Sequence, residues 1–70
     1  MSVNYNNLWK LLIDKGITKT EMRRMAGLST NVLAKMGKNE TVSMETLARI
    51  VTVLNCSFDD IIEVKNEKRI

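Results

Sequence analysis

The sequence predicts an all-α domain of five short helices, and three observations carry that expectation. Apolar residues recur at helical spacing nearly throughout, with no convincing period-two stretch in the first 55 residues. Helix-stopping residues (Gly16, Gly27, Gly37, Asn55) alternate with helix-capping ones (Thr18, Ser29, Ser43, Ser57), and the chain contains no proline. Seventy residues with 44% hydrophobic content suffice for one small core and no second domain.

The first helix is expected from Tyr5 to Lys15, with Leu8, Leu11 and Leu12 as its core stripe, Trp9 and Ile13 widening it, and Gly16 ending it. Trp9 serves either that core or one half of a dimer patch. The second opens at Thr18, whose hydroxyl faces the amide of Glu21 in a capping-box pattern; Met22, Met25 and Ala26 make its inner face, and Gly27 stops it. Ser29 caps the third, which carries Val32, Leu33 and Met36 and closes at Gly37. A polar loop, Lys38 to Val42, leads to Ser43 and the fourth helix, where Met44, Leu47, Ala48, Ile50, Val51 and Leu54 repeat at helical spacing before Asn55 takes the left-handed closing position. Ser57 caps a short fifth helix, with Asp59 and Asp60 in its first turn and Ile61 and Ile62 completing the core. The stretch Glu63 to Ile70 either frays or forms a short strand that pairs with its copy in a dimer. Residues 1–64 are read as the domain and 65–70 as a short charged tail.

Composition narrows the chemistry. There is no histidine and one cysteine, Cys56, so no Cys/His zinc cage and no histidine-based triad can be built. No glycine-rich phosphate loop is present; no metal, cofactor or enzymatic activity is expected. Met22, Met25, Met36 and Met44 are read as adaptable core filler, and Cys56 as a small buried hydrophobe. No apolar run is long enough for a membrane span, and the opening Met1-Ser2-Val3-Asn4-Tyr5-Asn6-Asn7 lacks a signal-peptide pattern, so a cytoplasmic protein with no membrane partner is expected.

The net charge of +3 is unevenly spread. Residues 1–38 hold seven basic side chains against two acidic ones, residues 39–64 one against five, and residues 65–70 three against one. The basic N-terminal half contains a helix, a glycine turn and a second helix in immediate succession, the anatomy of a helix-turn-helix whose second member enters the DNA major groove. Leu28, Leu33 and Met36 would lock that member inward, leaving Thr30, Asn31, Ala34 and Lys35 outward. Asn can bond bidentately to adenine, Thr can meet either base edge, and Lys can reach guanine or phosphate.

From Ile17-Thr18 through Ile61-Ile62 the chain resembles the Cro/repressor-type helix-turn-helix family, also called the xenobiotic-response-element type. The resemblance rests on Gly16-Ile17-Thr18-Lys19-Thr20-Glu21-Met22, on Ala26-Gly27-Leu28-Ser29, on Ser43-Met44-Glu45-Thr46-Leu47-Ala48-Arg49-Ile50 and on Leu54-Asn55-Cys56-Ser57-Phe58-Asp59-Asp60-Ile61. The opening Leu8-Trp9-Lys10-Leu11-Leu12 is similar to the compact single-domain subgroup. It implies a five-helix, lambda-repressor-like domain that binds a double-stranded DNA operator as a homodimer and regulates transcription, most often as a repressor in bacteria or phages. Carried onto this chain, it places Lys19, Thr20 and Ser29 on phosphates, Thr30, Asn31 and Lys35 on bases, and Lys38, Asn39 and Thr41 on the opposite backbone. Asn55 stands where the family usually has glycine, and Met36-Gly37-Lys38-Asn39 replaces a common Glu-x-Gly turn. Arg23 occupies a position where the family usually has alanine, so either its stem snorkels outward or the two motif helices sit slightly apart. The competing expectation is a protein-interaction module on the same scaffold, antitoxin-like or regulator-binding, with little DNA affinity of its own.

Overall fold

The computed structural model describes residues 2–65. In chain order it contains strand β1 (Ser2–Asn4), helices α1 (Asn6–Lys15), α2 (Lys19–Ala26), α3 (Thr30–Gly37) and α4 (Met44–Leu54), a 3-10 turn (Phe58–Asp60) and strand β2 (Glu63–Lys65).

Local chemistry accounts for most helix ends. Thr18 and Glu21 form the expected capping box, the hydroxyl accepting from the Glu21 amide while the carboxylate accepts from the Thr18 amide, each at 3.0 Å. Ser29 and Ser43 accept from the amides of Val32 and Thr46, each at 3.2 Å. Gly16, Gly27 and Asn55 close α1, α2 and α4 in the left-handed region, with φ of 69°, 68° and 53°. Gly37 does not play that part in α3. It is the last helical residue, and the positive φ of 59° falls two positions later, on Asn39.

Among the described residues four α-helices stand where five were expected. The Ser57 amide and hydroxyl both donate to the Asp60 carboxylate, at 2.9 and 3.1 Å, but only one 3-10 turn follows. The chain then turns extended into β2, with β-branched Ile61, Ile62 and Val64 favouring that conformation. An antiparallel ladder pairs β2 with β1 in the register Ser2↔Lys65, Val3↔Val64, Asn4↔Glu63. A strand in the N-terminal segment was not expected, since three residues are too few for a period-two pattern to register. Residues 63–65 thus do not fray; they pair with the opposite end of their own chain. The boundary expected between residues 64 and 65 falls inside β2, and residues 66–70 lie outside the described residues.

The core is built from Tyr5, Leu8, Leu12, Met22, Ala26, Leu28, Met36, Leu47, Ile50, Leu54 and Ile61. Three expected core residues are exposed instead: Ile13 (78%), Met25 (49%) and Met44 (66%). Ile13 lies one position beyond the buried Leu8 and Leu12 row, and Met44 begins α4 ahead of its buried turn. Met25 borders an open groove between α2 and α4. Leu11 and Trp9 are half-buried against the core, as is Cys56, a free thiol whose pKa burial pushes up. No described helix is long and apolar enough to cross a membrane.

Candidate nucleic-acid interface

The unit formed by α2, the Gly27 turn and α3 is held by three polar contacts. The amides of Gly27 and Leu28 donate to the carbonyls of Arg24 and Arg23, at 3.2 and 2.9 Å. Arg23 resolves the question its sequence position raises: its Nη1 donates to the Leu28 carbonyl at 3.1 Å, so the guanidinium folds back over the turn rather than extending to solvent. A side chain where a small residue is usual thereby satisfies the carbonyl just before the α3 cap. Gly27 also lies close to α4, where an added Cβ would come 3.3 Å from Arg49 Nη1.

Around this unit the nine sequence-selected residues all lie at the surface. Lys19 and Thr20 are the first two residues of α2. The capping box occupies the amides of Thr18 and Glu21, leaving those of Lys19 and Thr20 at the positive end of the helix. Glu21, turned back on Thr18, has its carboxyl pKa lowered by the Thr18 backbone and hydroxyl bonds and by Arg24. Lys19 Nζ sits 4.2 Å from the Trp9 ring centroid, a cation–π contact that seats the ammonium beside the α2 N-terminus.

Ser29, Thr30 and Asn31 open α3, and Lys35 lies in its last turn. Leu28 and Met36 are buried and Leu33 is half-buried, so α3 is fixed through one side while Thr30, Asn31, Ala34 and Lys35 remain exposed. The Ser29 oxygen is engaged as a cap acceptor, which leaves its hydroxyl proton free to donate.

Lys38, Asn39 and Thr41 belong to the α3–α4 loop. The amides of Lys38, Asn39 and Glu40 are spent on the carbonyls of Lys35, Met36 and Lys35, so this loop offers an anion its side chains. It is tethered from a distance: the hydroxyl of Tyr5, a residue with 0% exposure, donates to the Glu40 carbonyl at 2.6 Å. Among the described residues the one ion pair is Arg49–Glu45 at 3.3 Å, so Lys19, Lys35 and Lys38 keep their charge unpaired by any described carboxylate.

A family model described as the Cro/C1-type HTH DNA-binding domain matches residues 7–67. The chain belongs to this family. A solved structure similar to it is a crystal structure of the transcriptional regulator VanUg (form II), 53% identical, with 89% of this chain and 83% of that chain covered and a TM-score of 0.87. No curated protein matches.

Within this Cro/C1-type domain, sequence reasoning missed the supports of the surface more than the surface itself. Tyr5 holds a loop 35 residues away, and Trp9 seats a lysine ten positions on across a turn. Neither spacing is periodic, so no pattern in the sequence marks it. Lys65, a tail residue by sequence, lies in β2 beside the α3–α4 loop in a shared cleft.

Proposed function

We propose that this chain is a sequence-specific transcriptional regulator, a repressor, that docks α3 in the major groove of a double-stranded operator as a homodimer. The observation that supports it best is the exposed row Thr30, Asn31 and Lys35 on a helix fixed from behind by Leu28 and Met36, in a chain of the Cro/C1-type family. Asn31 and Thr30 at the helix start read base edges, and Lys35 reaches guanine or the adjoining phosphate. Lys19 and Thr20 meet one backbone through ammonium, hydroxyl and helix-end amides, with Ser29 donating alongside. Lys38, Asn39 and Thr41 grip the opposite backbone with side chains. The domain, which takes in β2 through Lys65, acts in the cytoplasm, and repression follows from occupying the operator.

The test is a salt-titrated binding assay with selection from random duplexes. With about three to five phosphate contacts per subunit, a dimer should give a log–log salt slope of about −6 to −9. Selection should return a two-fold symmetric site with half-sites about one helical turn apart. Asn31→Ala should cost about 1–3 kcal/mol at one base pair, while Lys19→Ala weakens every sequence alike. The open groove of about 400 Å³ between α2 and α4, where Met25, Ala26, Ala48 and Val53 lie beside the polar Glu45, Arg49 and Thr52, supports a second reading as a protein-interaction module. A stoichiometric protein complex with no salt-dependent DNA binding would favour that reading and sink the first.

A further inference from the structure

Beside the α3–α4 loop lies an open cleft of about 530 Å³, lined by β1 (Ser2, Val3 and Asn4), Asn6 at the start of α1, Asn39 and Thr41 of the loop, and Lys65 of β2. Asn39 and Thr41 already belong to the proposed interface; the other five have no role in it. We propose that this cleft seats a phosphodiester of the DNA backbone, with Lys65 as its cation, so that the interface runs from the α3–α4 loop onto the two-stranded sheet. The inference rests on the DNA-binding reading above.

Three features carry it. The polar lining consists of side-chain amides, hydroxyls and one ammonium, and includes no carboxylate. That inventory donates hydrogen bonds to phosphate oxygens, and Lys65 forms no ion pair with a described carboxylate. Glu63, two residues before Lys65, accepts from Asn4 Nδ2 at 3.0 Å and is not part of the lining.

The cleft is also held in shape before any ligand arrives. The ladder register sets Lys65 opposite Ser2, the Asn6 amide donates to Asn4 Oδ1 at 3.2 Å, and the Tyr5 hydroxyl clamps the loop through Glu40. Lys65 is thus delivered by strand pairing between the two ends of the chain, to a place that its sequence position does not reveal. Finally, the cleft is continuous with the loop side chains that grip the backbone, so a duplex engaged by Asn39 and Thr41 brings its next phosphodiesters to the rim.

The experiment is a fluorescence-anisotropy salt titration of the full chain on a selected duplex, comparing wild type with Lys65→Thr, Lys65→Arg, Asn6→Asp and Lys19→Ala. Threonine keeps the strand preference of position 65 while removing its charge. Lys65→Thr should flatten the log–log salt slope by about 0.9 per subunit with base preference unchanged, and Lys65→Arg should retain the wild-type slope. Asn6→Asp places a carboxylate in the cleft from outside the sheet, at a helix start that tolerates it, and should weaken binding most at low salt. Wild-type slope and affinity in both Lys65→Thr and Asn6→Asp, with Lys19→Ala impaired, would overturn the cleft and leave the DNA-binding reading standing. Absence of salt-dependent binding by the wild type would overturn both.

Discussion

Tyr5→Phe isolates one hydrogen bond that joins the start of the chain to the proposed phosphate loop. The ring is fully buried and phenylalanine refills it, so the substitution removes only the hydroxyl donating to the Glu40 carbonyl at 2.6 Å. A neutral hydrogen bond contributes about 1 kcal/mol net, and leaving the partly buried carbonyl without its donor raises the cost to about 2 kcal/mol at most. For a domain of this size about 1 kcal/mol corresponds to roughly 4–8 °C in melting temperature. Thermal denaturation near neutral pH, followed by circular dichroism, should therefore show a drop of that order. DNA affinity should fall as well, because Asn39 and Thr41 lose the clamp that holds their loop. The alkaline limb adds a second signature. Burial raises the Tyr5 phenol pKa above its ordinary value, so the folded state keeps a proton that the unfolded state has released. The contribution is complete below about pH 10 and is lost as pH rises through the raised folded value, so the gap between wild type and Tyr5→Phe should narrow there. Equal melting temperatures at neutral pH would refute the reasoning.

Other expectations follow from neighbouring contacts. Arg23→Ala should lower stability by about 1–2 kcal/mol through loss of the guanidinium bond to the Leu28 carbonyl, with Arg23→Lys restoring little of it; identical denaturation midpoints for all three proteins would show the contact idle. Because Lys19 Nζ rests on the Trp9 ring, its departure to a phosphate should change tryptophan fluorescence on DNA binding. That change should vanish in Lys19→Ala, and persistence would place its origin elsewhere. Glu21 and Asp60 both have carboxyl pKa values lowered by bonds to their cap residues, so their stabilisation is present above the ordinary carboxylate pKa and is lost as pH falls through the depressed folded values. Glu21→Gln and Asp60→Asn should each flatten the acid limb of a stability–pH curve, and an unchanged limb would count against the cap assignment.

Local chemistry by itself determined most of the places where the helices begin and end, α3's end at Gly37 excepted, and which residues the motif exposes. Thr18 with Glu21, Ser29 with Val32 and Ser43 with Thr46 each close a bond within three residues, and Gly16, Gly27 and Asn55 take positive φ for reasons that lie in the residue itself. Such interactions need no distant partner, so the pattern Thr30, Asn31 and Lys35 beside Leu28 and Met36 was legible before the fold was known. What tertiary structure decided depends on segments far apart in the chain. Periodicity alone could not bury Met25 or Met44, since a helical face is buried only where another element covers it, and neither position is covered. The fifth helix was cut to one turn because its end had to enter a strand whose partner lies about sixty residues earlier. Tyr5 reaches Glu40 because its ring is buried under the α3–α4 loop, and Lys65 stands beside that loop because the chain's two ends pair; neither set of neighbours is encoded by local spacing.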